Sequence, residues 1–559
     1  MIKQKVGIIV DGTVASKQLY DLIKFSLASE NYTISTLIVN DAQSYTGSIV
    51  SRAYKSILKR GFSNFFKSAC FKVLCEFERL VVVKRNSKFS NVFDKYNLSE
   101  FDLDVVNVTP TISKSGLVYR YDESELEKIK LQGLNLLVRG GSGILRGGIL
   151  TVCPNGVISF HHADNDINRG GPPGFWEVFK KQPRTGFIIQ RLQNELDGGE
   201  VLYKGFVPTS WMYTLNLAML YEKSNPFFHY VLEDITSGSF KLSIKQKKPY
   251  SHPLYTTPTV RQQIEYIVKT SCHFLAKVIR KVTSKSYRWG VAYQFAEAWD
   301  DVTLWRSKKI PNPKNRFLAD PFLVKRNGKH YCFVEDYNYS TSRGSISVFE
   351  INENGSKEIG VALAEEFHLS YPYLFEFEGD LYMCPETREA EYIRVYKSVE
   401  FPLRWELEKI LMSNVSAVDT NIFQKDGRWW LMSNISTSHE SNHSSELHVF
   451  CSESPLSDKW EPHAQNPVIF DSLRARNGGF IRHGGDSYRV YQRQGFDMYG
   501  EALGVSKITE LTCQSYEENP LFEVEANFFK GAQGVHTYNY TEGLLVFDYV
   551  EISSSKKGV

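Results

Sequence analysis

Three residues in the first half of the chain carry side chains suited to proton transfer at a carbonyl group. His161 carries an imidazole, a group that can stabilise an oxyanion and relay protons. Asp197 would fix the tautomer of that histidine and raise its pKa, provided that strands 156–161 and 186–192 are neighbours. Ser159, two positions before His161, adds a hydroxyl that can donate a hydrogen bond. Together they indicate chemistry in which an oxyanion is stabilised and protons are moved.

The segments around these residues form an ordered series of short motifs. Downstream of His161 come Arg169-Gly170, Pro172-Pro173, Phe175-Trp176, Thr185-Gly186 and Asp197-Gly198-Gly199. A glycine-rich loop alone is weak evidence, whereas the combined order is specific. In this order the sequence resembles the catalytic domain of the folate-dependent formyltransferases, and it is nearest to their sugar-modifying branch. The resemblance covers roughly residues 1–215 and is strongest from about 130 to 205.

The resemblance implies a formyl donor, an acceptor and catalytic residues. The donor would be 10-formyltetrahydrofolate, and the acceptor would be the amine of an amino sugar in a nucleotide-linked or lipid-linked glycan precursor. His161 and Asp197 match the catalytic histidine and aspartate of the family. Where the family has an asparagine that contacts the formyl oxygen, this chain has Ser159, whose side chain is shorter. Loss of one such donor typically costs about 10²–10³ in rate.

The remaining predicted site residues fall into two groups. The folate would lie along Arg139, Gly140, Gly141, Ser142, Gly143, Ile144, Leu145 and Leu196. The acceptor would contact His162, Asp164, Arg169 and Trp176. His161 and His162 with the nearby acids could instead form a metal cluster. Adjacent residues on a strand point to opposite faces, so only one histidine can face a given site, and we expect no metal.

Up to about residue 240 the pattern is α/β, with strands at Val6–Val10, Ile34–Val39, Asp104–Val108 and Leu134–Val138 and a helix around 16–29. This alternation predicts a doubly wound α/β sheet. A basic, aromatic, helical insertion at about 45–95 interrupts it, and a second basic amphipathic helix spans roughly 259–285. These segments suit a peripheral membrane or partner contact. They equally suit a helical hairpin and a linker with solvated charges, the interpretation we favour.

From about residue 287 five segments share one register. Each has a residue eight positions before a glycine, and an aromatic strand follows that glycine. The five first residues are Asp320, Tyr371, Asp419, Asn477 and Val535, and the glycines are Gly328, Gly379, Gly427, Gly485 and Gly543. A repeat of about 50 residues with internal hairpins predicts a five-bladed propeller. The predicted domains are therefore 1–240, a helical linker at 241–286, and 287–559.

The C-terminal repeats, notably Ala319-Asp320-Pro321-Phe322, resemble the five-bladed propellers of arabinanases and related glycoside hydrolases. They also resemble the propeller-like region of some plant sphingolipid glucosaminyltransferases. Glycoside hydrolysis requires a pair of carboxylates. Asp320 and Asp419 stand at two repeat starts, but the expected acidic glutamate does not, although Glu335 or Glu386 could replace it. We favour a carbohydrate-binding or vestigial propeller over an active glycosidase.

A glycan or anion site in the repeats could be lined by Arg476, Arg493 and His536. The formal net charge of +3 gives no indication of a nucleic-acid partner. The first residues read as a buried strand rather than as a signal peptide, and eight scattered cysteines without a CxxC pair argue against a zinc site or a disulfide framework. These features predict a cytoplasmic protein and leave its oligomeric state open.

The sequence therefore predicts a two-domain formyltransferase whose propeller recognises the carbohydrate part of the acceptor. One alternative is hydrolysis of formyltetrahydrofolate by the same site. A second alternative places the main activity in the propeller, as a glycosidase or a glycosyl-transferring module beside a degenerate N-terminal domain. A third is a glycan-binding scaffold without catalysis.

Overall fold

The computed structural model describes residues 3–41, 61–84, 86–238, 249–283, 285–438 and 442–554. The chain divides into two compact units. One, here called the α/β unit, comprises Met1–Cys272 with Thr437–Glu440, and the other, the ring unit, comprises His273–Ser436 and Ser441–Val559. Part of the predicted insertion at 45–95, namely 42–60 and residue 85, lies outside the described residues, and the part from Phe62 to Val83 is helical.

A seven-stranded sheet forms the core of the α/β unit. Its strands are β1 (Gln4–Val10), β2 (Tyr32–Asn40), β3 (Asp104–Val108), β4 (Leu136–Arg139), β5 (Val157–His161), β6 (Arg184–Arg191) and β7 (Glu200–Pro208), in the order β7-β6-β5-β4-β1-β2-β3. The five strands β5, β4, β1, β2 and β3 pair in parallel in that order. Strands β6 and β7 are each antiparallel to the strands beside them. The run Val6–Val10 is almost fully buried, which is why β1 is continuously apolar.

Within the described ranges, the α-helices are α1 (Lys17–Ala28), α2 (Phe62–Glu78), α3 (Glu123–Lys130), α4 (Phe175–Phe179), α5 (Tyr213–Ser237) and α6 (Val260–Val282). Short strands complete the α/β unit at Val14–Ser16, Lys95–Asn97, Thr111–Ile112, Val118–Arg120, Ile144–Leu145, Arg169–Gly170 and Leu254–Tyr255. Among the described residues, no helix is both long enough and apolar enough to cross a bilayer.

The sheet order reverses beside β1, which lies between β2 and β4. At such a reversal of strand order, the loops after two neighbouring parallel strands run to opposite faces of the sheet. The crevice between these loops, at the carboxyl ends of the strands, is where such sheets bind ligands. Asp11 follows β1 and Gly140 follows β4, while His161 ends β5. The predicted site residues of this unit are therefore gathered at one edge of the sheet.

The ring unit contains five antiparallel sheets. The first sheet contains β9 (Arg316–Arg326), β10 (Lys329–Asn338), β11 (Arg343–Asn352) and β12 (Gly355–Leu363), and the second contains β13 (Ser370–Phe377), β14 (Asp380–Glu386), β15 (Tyr392–Glu400) and β16 (Arg404–Ser413). The third contains β17 (Ala417–Lys425), β18 (Arg428–Ile435) and β19 (Glu446–Ser452), with the short strands Glu461–Pro462 and Ile469–Phe470. The fourth contains β20 (Asn477–His483), β21 (Asp486–Gly495), β22 (Met498–Leu511) and β23 (Tyr516–Glu525). The fifth joins β8 (Lys285–Phe295) to β24 (Leu544–Ser554), with Lys308–Ile310, Ala532–Gly534 and Tyr538–Thr541.

Two features close these sheets into a ring. Strand β8, which opens the unit, pairs along its whole length with β24, near the end of the chain. The innermost strands of the sheets also contact one another in order, from β9 through β13, β17 and β20 to Tyr538–Thr541 and back to β9. The side chains at the starts of these strands therefore share one central region.

The predicted repeat is visible in the backbone of each sheet. All five repeat glycines have a positive φ and occupy the turn between the innermost strand and the next. At the repeat starts, Asp320, Tyr371 and Asp419 also have positive φ values of 48°, 46° and 50°, where each strand is interrupted by a bulge. Bulges re-aim side chains, and strained non-glycine backbone is concentrated at functional sites.

Candidate functional site

The predicted pair of His161 and Asp197 is brought together in the α/β unit. The Nδ1 atom of His161 lies 3.4 Å from Oδ1 of Asp197, because β5 and β6 are neighbours as the prediction required. The Nε2–H of His161 donates to the carbonyl of Asn168 at 2.9 Å, and the other oxygen of Asp197 accepts from the amide of Gly170 at 3.0 Å. Both ring nitrogens therefore face protein atoms.

Ser159 is also engaged within the protein. Its side chain is 2% exposed, and its hydroxyl donates to the carbonyl of Phe160 at 3.0 Å. Arg139 approaches the hydroxyl at 3.5 Å but makes its closer bonds, from Nε and Nη2, to the carbonyl of Gly143. The predicted oxyanion donor is thus turned toward the backbone of its own strand.

The predicted folate loop is held by the side chain of Asp11 as well as by that of Arg139. The Asp11 carboxylate accepts from the amide of Ser142 at 2.7 Å, and a Cβ on Gly141 would lie 2.8 Å from the same carboxylate. A Cβ on Gly143, which has a φ of 83°, would meet the ring of Tyr119 at 2.5 Å. These two positions therefore require glycine for the loop's own packing. Gly140 precedes them, Ile144 and Leu145 form a short strand, and Leu196 lies half-buried in a separate turn.

The predicted acceptor residues are dispersed. His162 contacts Ser224 at 3.2 Å and packs against Phe160, and burial lowers its pKa to about 3. Asp164 pairs with Lys204 and Arg169 with Glu195, while the indole of Trp176 donates to the carbonyl of Gly171. A cavity of about 380 Å³ in this unit is lined by Arg139, Gly140, Gly141, Ser159 and His162, among others. His161, Asp197 and the other predicted acceptor residues do not line it.

A second cluster of titratable groups lies at the centre of the ring unit. Asp320 is 7% exposed, accepts from the hydroxyl of Thr537 at 2.8 Å, and lies 3.8 Å from Nδ1 of His536. His536 in turn contacts Asp548 at 2.5 Å and stacks on Trp289 with ring centroids 3.8 Å apart. Burial raises the pKa of Asp320 to about 6, against the opposing charge of His536.

Asp419 forms a buried ion pair with Arg476. Nε of Arg476 donates to its Oδ2 at 2.6 Å, and the amide of Gln492 donates to the same oxygen at 3.1 Å. The guanidinium also lies over the ring of Tyr499, 4.8 Å from its centroid. Arg493, which the sequence suggested as a neighbour, pairs instead with Glu523 on β23 at 3.0 Å.

Glu386 and Glu335 complete the acidic cluster. Removal from water, with the charge of Asp419 nearby, raises the pKa of Glu386 to about 8. Burial, with the charges of Asp320 and Glu386, raises the pKa of Glu335, whose carboxylate lies 3.4 Å from His368. The charges of the repeat-start aspartates thus raise the pKa values of both glutamates that could replace the missing acid.

Three further residues of this cluster were not predicted from the sequence, namely Asp548, Gln492 and Thr537. Asp548 is fully buried and accepts from the amides of His536 and Thr537, both at 3.0 Å. It lies outside the repeat register, on β24, so spacing gave no signal for it. An acid inside the otherwise apolar run Leu544–Val550 was the available clue, because charged residues are almost never buried unless they are paired.

Two groups of described residues have ligand atoms close enough to hold a metal ion. One is Asp320, His536 and Asp548, and the other is Cys451, Glu461 and Cys513. Oxygen and imidazole ligands suit a hard or borderline cation, whereas thiolates suit a soft one. The first group is equally well explained by the hydrogen bonds that it makes within the ring.

The chain thus combines an α/β unit, whose sheet is mostly parallel, with a ring of five antiparallel sheets around a buried acidic cluster. A family model described as "Glucosamine inositolphosphorylceramide transferase 1, N-terminal" matches residues 288–555. Glucosamine inositolphosphorylceramide transferase 1 of Oryza sativa subsp. japonica is 39% identical over 215 residues, 37% of this chain and 28% of that protein. The Arabidopsis thaliana protein of the same name is 37% identical over 221 residues, 38% of this chain and 28% of its own length. The chain thus spans little more than a quarter of these plant relatives.

Other similarities are more distant. Methionyl-tRNA formyltransferase of Bacillus subtilis (strain 168) is 24% identical over 206 residues, 36% of this chain and 63% of that protein. Among solved structures, glycinamide ribonucleotide transformylase 1 from Symbiobacterium toebii has a TM-score of 0.28 at 13% identity, covering 42% of this chain and 89% of that one. The catalytic domain of the Coprinopsis cinerea GH62 α-L-arabinofuranosidase has a TM-score of 0.34 at 12% identity, covering 49% and 99%.

These matches overturn the predicted activity. The prediction that the chain transfers a formyl group from a folate to an amine is wrong, and formyltetrahydrofolate hydrolysis is no better supported. The relatives with the higher sequence identity, 39% and 37%, carry the name of a glucosamine inositolphosphorylceramide transferase. The methionyl-tRNA formyltransferase is only 24% identical. The alternative that places a glycosyl-transferring activity in the C-terminal repeats agrees better with them. Binding of 10-formyltetrahydrofolate by residues 139–145 and Leu196 stays a prediction.

Proposed function

We propose that the ring unit transfers a sugar residue to a hydroxyl group of a lipid-linked acceptor, with Glu386 as general acid and Asp320 as general base. The observation that supports this best is the separation of two pKa values within one buried cluster. With a pKa of about 8, Glu386 keeps its proton at neutral pH, whereas Asp320, with a pKa of about 6, is mostly ionised. Carboxyl groups whose surroundings push their pKa values apart are suited to opposite roles in proton transfer.

Glycosyl transfer uses both roles in one exchange. As the bond from the anomeric carbon to the leaving oxygen breaks, Glu386 would donate its proton to that oxygen. As the acceptor oxygen bonds to the same carbon, Asp320 would take the acceptor's hydroxyl proton. Asp419 is held by Arg476 at 2.6 Å, and that cation limits the rise in the pKa of Glu386.

The substrate class is taken from the relatives. The names of the plant proteins join a sugar, glucosamine, to a phosphorylated lipid, inositolphosphorylceramide. We extend only the general class to this chain, which is a sugar donor and a lipid-linked acceptor. We also infer that the ring of five sheets is a five-bladed β-propeller and that the α/β unit is doubly wound, since strand order and ring closure suit both architectures.

A transfer assay tests the proposal. The full-length protein is incubated with labelled nucleotide sugars and a lipid-linked acceptor, and the label extracted with the lipid is counted. We expect Glu386→Gln to reduce the rate of transfer about 10²–10⁴-fold, because it cannot donate a proton as an acid does. The matched control Glu406→Gln changes a surface carboxylate that is 57% exposed and should leave the rate unchanged. A folded wild-type protein that labels no lipid with any donor would contradict the proposal.

One observation favours a second candidate, glycan binding without catalysis. A further cavity of about 600 Å³ in the ring unit is lined by the aromatic residues Phe322, Tyr373, Phe375, Phe423 and Phe480. Aromatic faces can stack on apolar surfaces of a ligand while leaving polar groups free for hydrogen bonds. A protein of this kind would bind an oligosaccharide in calorimetry equally well before and after Glu386→Gln, and would show no turnover.

A further inference from the structure

Two helices of the α/β unit have their apolar side chains on the outside. On α2, Phe62, Phe66, Val73 and Phe77 are between 48% and 70% exposed. In the part of α6 that belongs to this unit, Ile264, Ile267 and Val268 are between 45% and 57% exposed. The two helices are neighbours, because Gln263 and Tyr266 of α6 contact Lys67 and Glu78 of α2. Large apolar side chains grouped on an exposed surface are typical of sites that bind a protein or a membrane. The seven exposed apolar residues are called the two-helix face below.

The inward sides of the same helices are attached by hydrogen bonds and by the buried ring of Phe71, which packs against Phe175. Tyr266 on α6 donates to the buried carboxylate of Glu78 on α2 at 2.5 Å, and the amide of Thr214 donates to the other oxygen of Glu78 at 3.0 Å. The side chain of Gln263 donates to the carbonyl of Lys67 at 2.8 Å. Only Gln263 and Tyr266 are buried on α6, and the ring of Tyr266 also packs against Phe175, so the apolar aliphatic side chains of α6 are left outward.

The apolar stripe of α6 has helical spacing. Ile264, Ile267 and Val268 stand three and four positions apart, and such residues lie above one another on a helix. Further along the same helix the exposed residues Leu275, Val278, Ile279 and Val282 continue the spacing. The apolar stripe of α6 therefore faces away from the protein, whereas the apolar stripe of an ordinary surface helix faces the core.

The charges beside this stripe indicate what it contacts. Helix α6 carries five basic residues and a single acid: Arg261, Lys269, Lys277, Arg280 and Lys281 against Glu265. Helix α2 adds Lys67 and Lys72, and Lys84 and Lys88 follow it. Apolar residues flanked by lysine and arginine are the composition of helices that lie in the interface of an anionic membrane.

We propose that the two-helix face docks the protein onto the surface of an anionic lipid membrane, with the apolar side chains entering the headgroup region and the basic residues contacting lipid phosphates. This surface is independent of the acid–base cluster of the ring unit, and membrane binding is measured without turnover. The membrane proposal therefore does not depend on the proposed glycosyl transfer.

Vesicle co-sedimentation of the full chain tests the proposal. The protein is mixed with vesicles of phosphatidylcholine alone, or of phosphatidylcholine and phosphatidylglycerol in equal parts. We expect binding to the anionic vesicles to exceed binding to the neutral ones at least about tenfold, and to fall with added salt, because each basic residue near the surface contributes electrostatic attraction. Equal binding to both kinds of vesicle, or binding to neither, would overturn the proposal.

Substitutions locate the surface. The triple variant Ile264→Glu, Ile267→Glu and Val268→Glu should lose at least about tenfold in binding to anionic vesicles, because charged groups do not enter the apolar layer. The matched control Leu131→Glu alters an 82% exposed leucine of the same unit and should bind as the wild type does. An equal loss in the control would overturn the proposal. A wild-type dimer in light scattering that the triple variant dissociates, without any vesicle binding, would show that a second copy of the chain covers the face instead.

Discussion

Arg476 and Asp419 form a buried ion pair whose removal has a cost that can be worked from the structure. The side chains are 15% and 3% exposed, and Nε lies 2.6 Å from Oδ2. In Arg476→Met the carboxylate of Asp419 keeps its bond from Gln492 but loses its cation. Leaving one charge of a buried pair uncompensated typically costs about 3–5 kcal/mol. We therefore expect Arg476→Met to lower the free energy of unfolding of the ring unit by that amount.

A double-mutant cycle measured by scanning calorimetry tests this expectation. Asp419→Asn removes the charge left behind, so the double variant should be less destabilised than the sum of the two single variants by about 1–3 kcal/mol. The surface pair of Arg404 and Glu406, with side chains 65% and 57% exposed, provides the control, and Arg404→Met should leave the unfolding transition unchanged. The reasoning is refuted if Arg476→Met is no more destabilising than the control, or if the two single effects simply add.

Three further predictions concern Glu386, the pair of Cys451 and Cys513, and Tyr266. Because the folded-state pKa of Glu386 is raised from 4.5 to about 8, the stability that it contributes is complete below pH 4.5 and is lost as pH rises to about 8; Glu386→Gln should flatten the decline of the melting temperature across that range. The Sγ atoms of Cys451 and Cys513 are 2.6 Å apart, so oxidation by a peroxide should join them in a disulfide, which mass spectrometry detects as the loss of two hydrogens. The closed loop should stabilise the ring unit by about 4 kcal/mol. If both thiols still react with an alkylating reagent after the oxidation, the prediction is contradicted. Tyr266→Phe removes a hydrogen bond to buried Glu78 and should cost about 1–3 kcal/mol in thermal unfolding of the α/β unit, whereas an unchanged transition would show that the bond contributes nothing.

Much of the fold follows from local patterns in the sequence. The apolar run Val6–Val10 predicted a buried parallel strand, and the spacing of five glycines predicted the turns between the first two strands of five sheets. Both signals are local, because a turn that needs a positive φ selects glycine wherever it occurs. The approach of His161 to Asp197 was expected from the formyltransferase resemblance, on the condition that strands 156–161 and 186–192 are neighbours, and β5 and β6 do pair.

The acidic cluster was less predictable, because its members come from separate sheets. Asp320 and Asp419 were found from the repeat, but Asp548 lies outside the register, and nothing local indicates that Arg476 would contact Asp419 across 57 residues. Cys451 and Cys513 similarly lie 62 residues apart, and the scattered spacing gave no sign that they meet. Such contacts depend on ring closure, which the spacing of the repeats implies without specifying which side chains point inward.

The function predicted from the motifs was wrong because those motifs describe a fold more closely than a reaction. Asp11 holds the glycine-rich loop, and the hydroxyl of Ser159 and the Nε2–H of His161 both donate to backbone carbonyls. A sequence match therefore located the positions correctly without showing whether their hydrogen-bonding groups face a substrate. Similar folds host unrelated activities, and activity has to be argued from the site itself.

The most direct test of the account is to compare Asp320→Asn with His161→Ala in the same lipid-labelling transfer assay. The two variants separate the ring unit from the α/β unit as the place of catalysis. We predict that Asp320→Asn lowers the rate about 10²–10⁴-fold, because an amide cannot accept the acceptor's proton, while His161→Ala keeps the wild-type rate. Loss of transfer in His161→Ala with full activity in Asp320→Asn would contradict the central claim.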